Sequence, residues 1–239
     1  MEIELWSGGS KAIIDPQGAW LTNLSDEYGD ILYPKRILVA EDGSKKLRGG
    51  CHVCLPNFGP GGESGQPQHG FGRMLLWEVT DKTESSVLLS LANGDEEYRD
   101  LSALLTYQLE PESLRMALEV TNEGEVDLRV APAFHPYFSI VHDKEEISVN
   151  NESRRVDELG DTEFNTSVQR SLETSRRVIT LESHQLTTWA LWTDNLAPYV
   201  CVEPTLGGYT FLNETPSSDE VLRPGQVRTF TATVAWQMK

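Results

Sequence analysis

The chain has 239 residues, of which 38% are hydrophobic and 24% charged, and its formal net charge is −17. That length suits one large core, or at most two small ones. So acidic a surface repels nucleic acid and anionic membrane, and no run approaches 18 apolar residues, so neither is expected as a partner.

The first residues, MEIELWSGGSK, are acidic where a signal peptide is basic, and they hold no apolar h-region. They predict a cytoplasmic protein. Leu47-Arg48-Gly49-Gly50 then leads into Cys51-His52-Val53-Cys54. The chain has 3 cysteines, Cys51, Cys54 and Cys201, which do not make a disulfide framework. The Cys-His-x-Cys run lacks the second ligand pair a zinc knuckle needs and the following helix a thioredoxin site needs, so no metal is expected.

Gly59 to Gly70 is rich in glycine and proline and ends in Gln66-Pro67-Gln68-His69-Gly70-Phe71-Gly72-Arg73. By composition it reads as a long exposed turn, although such a loop can also bring backbone close to a ligand. Turns are marked at Asn93-Gly94, Asn122-Glu123-Gly124 and Pro224-Gly225. Glu97–Leu105 is the best helical stretch, but alternation at Ala103, Leu105, Tyr107 and Leu109 favours a strand after Asp100. Leu114, Met116, Leu118 and Val120 share one strand face. Val126, Leu128 and Val130 repeat that pattern, as do Phe230, Ala232, Val234, Trp236 and Met238. Glu145 to Ser175 is polar and reads as surface strands and loops of the same domain. Short alternating strands separated by turns predict an all-β fold, a sandwich or barrel, with residues 1–239 as a single domain.

Two strands carry polar groups in apolar company. In Tyr199-Val200-Cys201-Val202-Glu203-Pro204, Tyr199, Cys201 and Glu203 share a face. A carboxylate there is either a general base in a pocket or a strand-end charge reaching solvent. In Ala133-Phe134-His135-Pro136-Tyr137-Phe138, His135 and Tyr137 oppose Phe134. His135 is either a satisfied core group or a proton donor. Arg48 and Arg73 flank the glycine-rich stretch and have the fork geometry that suits phosphate or carboxylate. Phosphate-loop, Rossmann, zincin and nucleophile-elbow motifs do not occur.

Taken in order, Arg48–Pro60, His69–Glu78, Ala133–Phe138 and Cys201–Pro204 resemble the galactose mutarotase-like superfamily, most closely its hexose-6-phosphate mutarotase branch. Gly18-Ala19-Trp20-Leu21 also fits that family's early strand. The resemblance implies a large antiparallel β-sandwich, the galactose mutarotase-like supersandwich, with the sugar in a cleft on one sheet. It implies an aldose or hexose-phosphate 1-epimerase that needs no cofactor, whose partner is a small sugar or sugar phosphate. By the same resemblance Glu203 is the general base and His135 the general acid. His69 positions the sugar near its ring oxygen, Arg48 and Arg73 hold a phosphate, and Asp194 binds sugar hydroxyls. Such chemistry expects a Glu203 that is readily ionised and a His135 that carries a proton. The alternatives are a non-catalytic carbohydrate-binding or regulatory protein on the same fold, and an isomerase or lyase acting on another sugar acid.

Overall fold

The computed structural model describes residues 1–239, the side chain of Glu96 excepted. Nearly all of its regular structure is antiparallel strand, in two nine-stranded sheets. The first sheet runs Ile3–Ser7, Ser10–Asp15, Trp20–Asp26, Cys51–Cys54, Ala133–Ser139, Tyr199–Thr205, Thr188–Trp192 and Glu163–Thr166. Gly29–Asp30 pairs with Trp20–Asp26 off that path. The second runs Glu152–Arg155, Glu146–Val149, Gln169–Glu173, Arg177–Glu182, Val227–Met238, Ser113–Asn122, Leu101–Glu110, Ser86–Leu91 and Glu78–Lys82.

Alternation decides which faces meet. Leu114, Met116, Leu118 and Val120 are buried while their odd-numbered neighbours are not, and they join Leu5, Ile14, Leu21, Val53 and Phe134 of the first sheet in one apolar core. The result is a sandwich, since each sheet has one face to remove from water. Some polar groups that enter the core are matched there. The Tyr107 hydroxyl, for example, donates to the Ala19 carbonyl across the sheets at 2.7 Å.

Two central strands break the alternation. Every residue of Ala133–Ser139 except Ser139 is buried, and so is all of Tyr199–Thr205. Their core face carries Phe134, Phe138, Val200 and Val202. Their outer face is covered by the hairpin Arg36–Val39/Lys45–Arg48, by residues 55–73, and by residues 206–213. The last of these segments is pinned by Arg129, which donates to Glu220 at 2.8 Å and to the carbonyls of Thr210 and Asn213.

The strand expected after Asp100 begins at Leu101, preceded by a 3-10 turn at Glu96–Tyr98. Two other expectations are corrected. Val126 is 65% exposed, and only Leu128–Arg129 is strand there. The Asn122 amide donates to the Val126 carbonyl at 2.7 Å and so diverts that backbone from the ladder. Met238 continues the last strand past the core and is exposed.

Candidate active site

Strand register builds the site. Cys51–Cys54 pairs with Ala133–Ser139 so that His52 lies opposite His135. Ala133–Ser139 pairs with Tyr199–Thr205 so that Ala133 meets Thr205 and Tyr137 meets Cys201, which sets His135 opposite Glu203. Three adjacent strands thus place His52, His135 and Glu203 in one row on the outer face, because directly paired residues project to the same side. Tyr137 sits one pleat along, and its ring stacks on His135 with centroids 4.6 Å apart.

Above this row lies a cavity of about 270 Å³. Its floor is His135 and Glu203, both buried, and His135 Nε2 stands 3.2 Å from Glu203 Oε2. The two are close but out of hydrogen-bond alignment, and Glu203 Oε2, His135 Nδ1 and His52 Nε2 are buried without partners. Phe58 and Tyr209 stack at 5.5 Å to form one wall, and Trp192 forms another. Gly59 makes the stack possible, for a Cβ there would fall 2.1 Å from the Tyr209 ring.

The glycine-rich loop is a wall of the cavity rather than an exposed turn, because its backbone closes on itself and on the sheet. His69 N donates to the Gly59 carbonyl at 2.8 Å, and Gly70 has φ +69 with the Leu55 carbonyl where a Cβ would be. Gly59 N donates in turn to His69 Nδ1 at 3.2 Å. That bond makes Nδ1 an acceptor, so the neutral ring keeps its N–H at Nε2.

Electrostatically the floor is poor ground for charge. Burial pushes the Glu203 carboxyl well above the usual carboxylate range. Burial, then His69, Arg73 and Arg48, pushes His135 well below the ordinary histidine value. Burial likewise lowers His52, with His135 and Arg73 adding to the effect. His69 is pushed down to about 3 by burial, then by Arg73 and Arg48. Burial thus works against the ionised carboxylate and the protonated imidazole that the chemistry calls for.

Three cations line the same cavity: Lys46, Arg48 and Arg73. Arg48 Nε donates to Asp194 Oδ2 at 2.7 Å, and its guanidinium lies 5.5 Å from the Trp192 ring centroid. Asp194 also accepts from the Tyr199 hydroxyl and from Leu196 N. Both oxygens of Asp194 are thus engaged, and it stands behind Arg48 rather than on the cavity wall. Arg73 donates only to the Gln68 carbonyl, at 2.9 Å, and has no carboxylate partner among the described residues. One buried set of possible metal ligands occurs among the described residues, His135, Cys201 and Glu203, whose ligating atoms lie within 4.8 Å of one another. Cys51 and Cys54 do not converge, since Cys51 enters the core and Cys54 faces the cavity side.

The family model for aldose 1-epimerase matches residues 1–175. The chain belongs to the aldose 1-epimerase family. The matched region holds Arg48, His69, Arg73 and His135, while Asp194 and Glu203 lie beyond it. A sequence relative in Escherichia coli strain K12 carries the name "Putative glucose-6-phosphate 1-epimerase". It is 28% identical over 128 residues, which span 50% of this chain and 42% of that relative. A galactose mutarotase-like protein from Lactobacillus casei ATCC 334 shares the fold with a TM-score of 0.80 at 18% identity, over 99% of this chain and 100% of that one. Galactose 1-epimerase from Lactobacillus acidophilus NCFM does so with a TM-score of 0.76 at 14% identity, over 99% and 94%.

In this aldose 1-epimerase fold, five of the six residues singled out from sequence line one cavity: Arg48, His69, Arg73, His135 and Glu203. Sequence reasoning passed over His52 and Lys46. His52 was weighed only as a metal ligand, although its place beside the paired strand could have marked it. Lys46 alternates with Arg48 on Lys45–Arg48, and that period of two was the available signal.

Proposed function

We propose that the whole chain acts as one domain that interconverts the α and β anomers of a hexose 6-phosphate, as an aldose 1-epimerase. The observation that carries this reading is the row His52, His135 and Glu203, with unpartnered polar atoms under a cavity of sugar-binding character. Aromatic rings at Phe58, Tyr209 and Trp192 suit the C–H faces of a sugar, and the polar floor suits its hydroxyls.

In the proposed reaction one group takes the proton of the anomeric hydroxyl while another protonates the ring oxygen. The bond between C1 and the ring oxygen breaks, giving the open aldehyde. Rotation about C1–C2 and the reverse proton transfers close the ring on the other face. Glu203 serves as base and His135 as acid. A carboxylate with an imidazolium holds the same number of protons as a carboxyl with a neutral imidazole, so the two arrangements differ only in where one proton sits. Sugar hydroxyls that solvate the carboxylate bring the ionised arrangement within reach. His69 Nε2, now 3.4 Å from the Gln68 side-chain amide, is the ring nitrogen placed to meet a sugar oxygen.

The choice of a phosphosugar rests on Arg73. Arg48 is already neutralised by Asp194, whereas Arg73 has no carboxylate partner among the described residues and lines the same cavity as Lys46 in a strongly acidic chain. Asp194 is assigned the task of orienting Arg48 rather than binding sugar. Anomer exchange of glucose 6-phosphate, galactose and glucose, followed by NMR saturation transfer, tests the reading. Glucose 6-phosphate should exchange fastest. If no sugar exchanges faster than in buffer, the proposed activity is wrong.

A further inference from the structure

The polar segment between residues 146 and 173 encloses a second cavity, of about 370 Å³. It lies where the edge strand Glu163–Thr166 of the first sheet approaches the edge hairpin Glu146–Val149/Glu152–Arg155 of the second. Its inner wall is Trp189, Leu191 and Val202, on the reverse face of strands that serve the first cavity.

Arg170 lines this cavity. On Gln169–Glu173 it alternates inward with Leu172 and stands where the pattern asks for an apolar side chain. It is 6% exposed, its Nη2 is buried without a partner, and no carboxylate pairs with it among the described residues. Other sequestered arginines are treated differently. Arg177 is held by Asp26 at 2.5 Å, Arg129 by Glu220 at 2.7 Å and Arg48 by Asp194 at 2.7 Å. Glu152, whose field reaches Arg170, is tied to Arg154 at 2.8 Å. Burial pushes the Arg170 guanidinium below its ordinary value, against the pull of Glu152. An unpaired, enclosed cation is costly to the fold unless something outside the chain completes it.

We propose that this cavity binds a small polyhydroxy monocarboxylate of the sugar-acid class, its carboxylate held by the fork of Arg170. The unpaired charge is single, and Glu152 and Glu163 lie on the same walls, so a monoanion fits the local balance better than a phosphate dianion. Asn165, paired with Trp189 and so on the inner side of the edge strand, is exposed, and its side chain makes no hydrogen bond among the described residues, leaving it for a ligand hydroxyl. Its neighbour Phe164 turns to the other face, where its ring lies 5.0 Å from Tyr209 of the first cavity. The site is thus adjacent to the first cavity, and it stands whether or not the chain is an epimerase.

Calorimetric titration of the full chain with gluconate, inorganic phosphate and glucose tests this. Gluconate should bind at millimolar concentrations, and phosphate and glucose about tenfold more weakly or not at all. Arg170→Met should weaken gluconate by about tenfold or more, yet raise the melting temperature of the free protein because the enclosed cation is gone. Asn165→Ala, at an exposed position, should weaken gluconate severalfold, and it carries the test if Arg170→Met does not fold. Arg73→Met, in the first cavity, should leave gluconate unchanged. The proposal is overturned if gluconate does not bind, if phosphate binds more tightly, or if Asn165→Ala and a folded Arg170→Met bind as the parent does. Loss of gluconate binding in Arg73→Met would place the anion in the first cavity and overturn it equally.

Discussion

Glu203 and His135 face each other across a strand pair, 3.2 Å apart and shut away from solvent. If they divide the acid and base work, Glu203→Gln should lower kcat/KM for anomer exchange by about 10² to 10⁴ with the fold intact. Full activity in that variant would remove Glu203 from the mechanism. The same burial sets a pH expectation. His135 lies well below the ordinary histidine value, so the doubly protonated pair accumulates only well under pH 6.5. The kcat/KM profile should stay level through the pH range in which a solvent-exposed histidine titrates. An acid limb at or above 6.5 would contradict a buried neutral His135. Arg73 separates phosphate recognition from chemistry. Arg73→Ala should raise KM for glucose 6-phosphate, with a loss of about 1.5 to 3 kcal/mol for a hydrogen bond to a charged group, while galactose and glucose are spared. Equal damage to all three sugars would mean that Arg73 shapes the cavity instead.

The element that matters most to the cavity is the stretch from Asn57 to Arg73, which folds back over the sheet. The Asn57 amide donates to the Gly59 carbonyl at 2.8 Å, and Gly59 holds φ +71. Gly59→Ala would strain the backbone and drive a methyl into the Tyr209 ring. The expected result is a stability loss of about 1 kcal/mol or more in urea unfolding, with KM raised more than kcat is lowered. A change confined to kcat would show that the Phe58/Tyr209 wall does not touch substrate. Turn composition alone cannot reveal this element. Glycines that serve an exposed turn and glycines that let a ring pass close look identical in sequence, and only the approach of Tyr209 distinguishes them. Val126 shows the converse failure. Its alternation is sound, but the Asn122 side chain outcompetes the ladder for its carbonyl.

Across the whole molecule, gathering His52, His69, His135 and Glu203 around one cavity links folding to pH. His52, His69 and His135 have lowered values in the fold, so below pH 6.5 the unfolded chain binds protons that the native state refuses. Glu203 acts oppositely, for its raised value lets the native state keep a proton that the unfolded chain releases above about 4.5. Between these limits the three histidines act against the single carboxyl, so stability should fall as pH drops from 6.5. Urea midpoints measured across this range, compared between the parent and His52→Gln, check the account. The variant should lose part of that dependence. An unchanged slope would show that His52 is protonated in the fold.

Alternation of apolar residues was enough to determine an all-β chain with one buried face per strand, because a strand's side chains must alternate whatever it packs against. The ordered patches around Arg48, His69, His135 and Glu203 were enough to carry the resemblance to the family that the chain belongs to. Tertiary structure alone decided which strands are neighbours. That register set His52 and Glu203 on either side of His135, turned Asp194 into the partner of Arg48, and gathered Lys46 at the cavity. It also set the burial that disfavours the charged forms of Glu203 and His135. Desolvation belongs to the cavity that many distant segments enclose together, and no local stretch of sequence carries it.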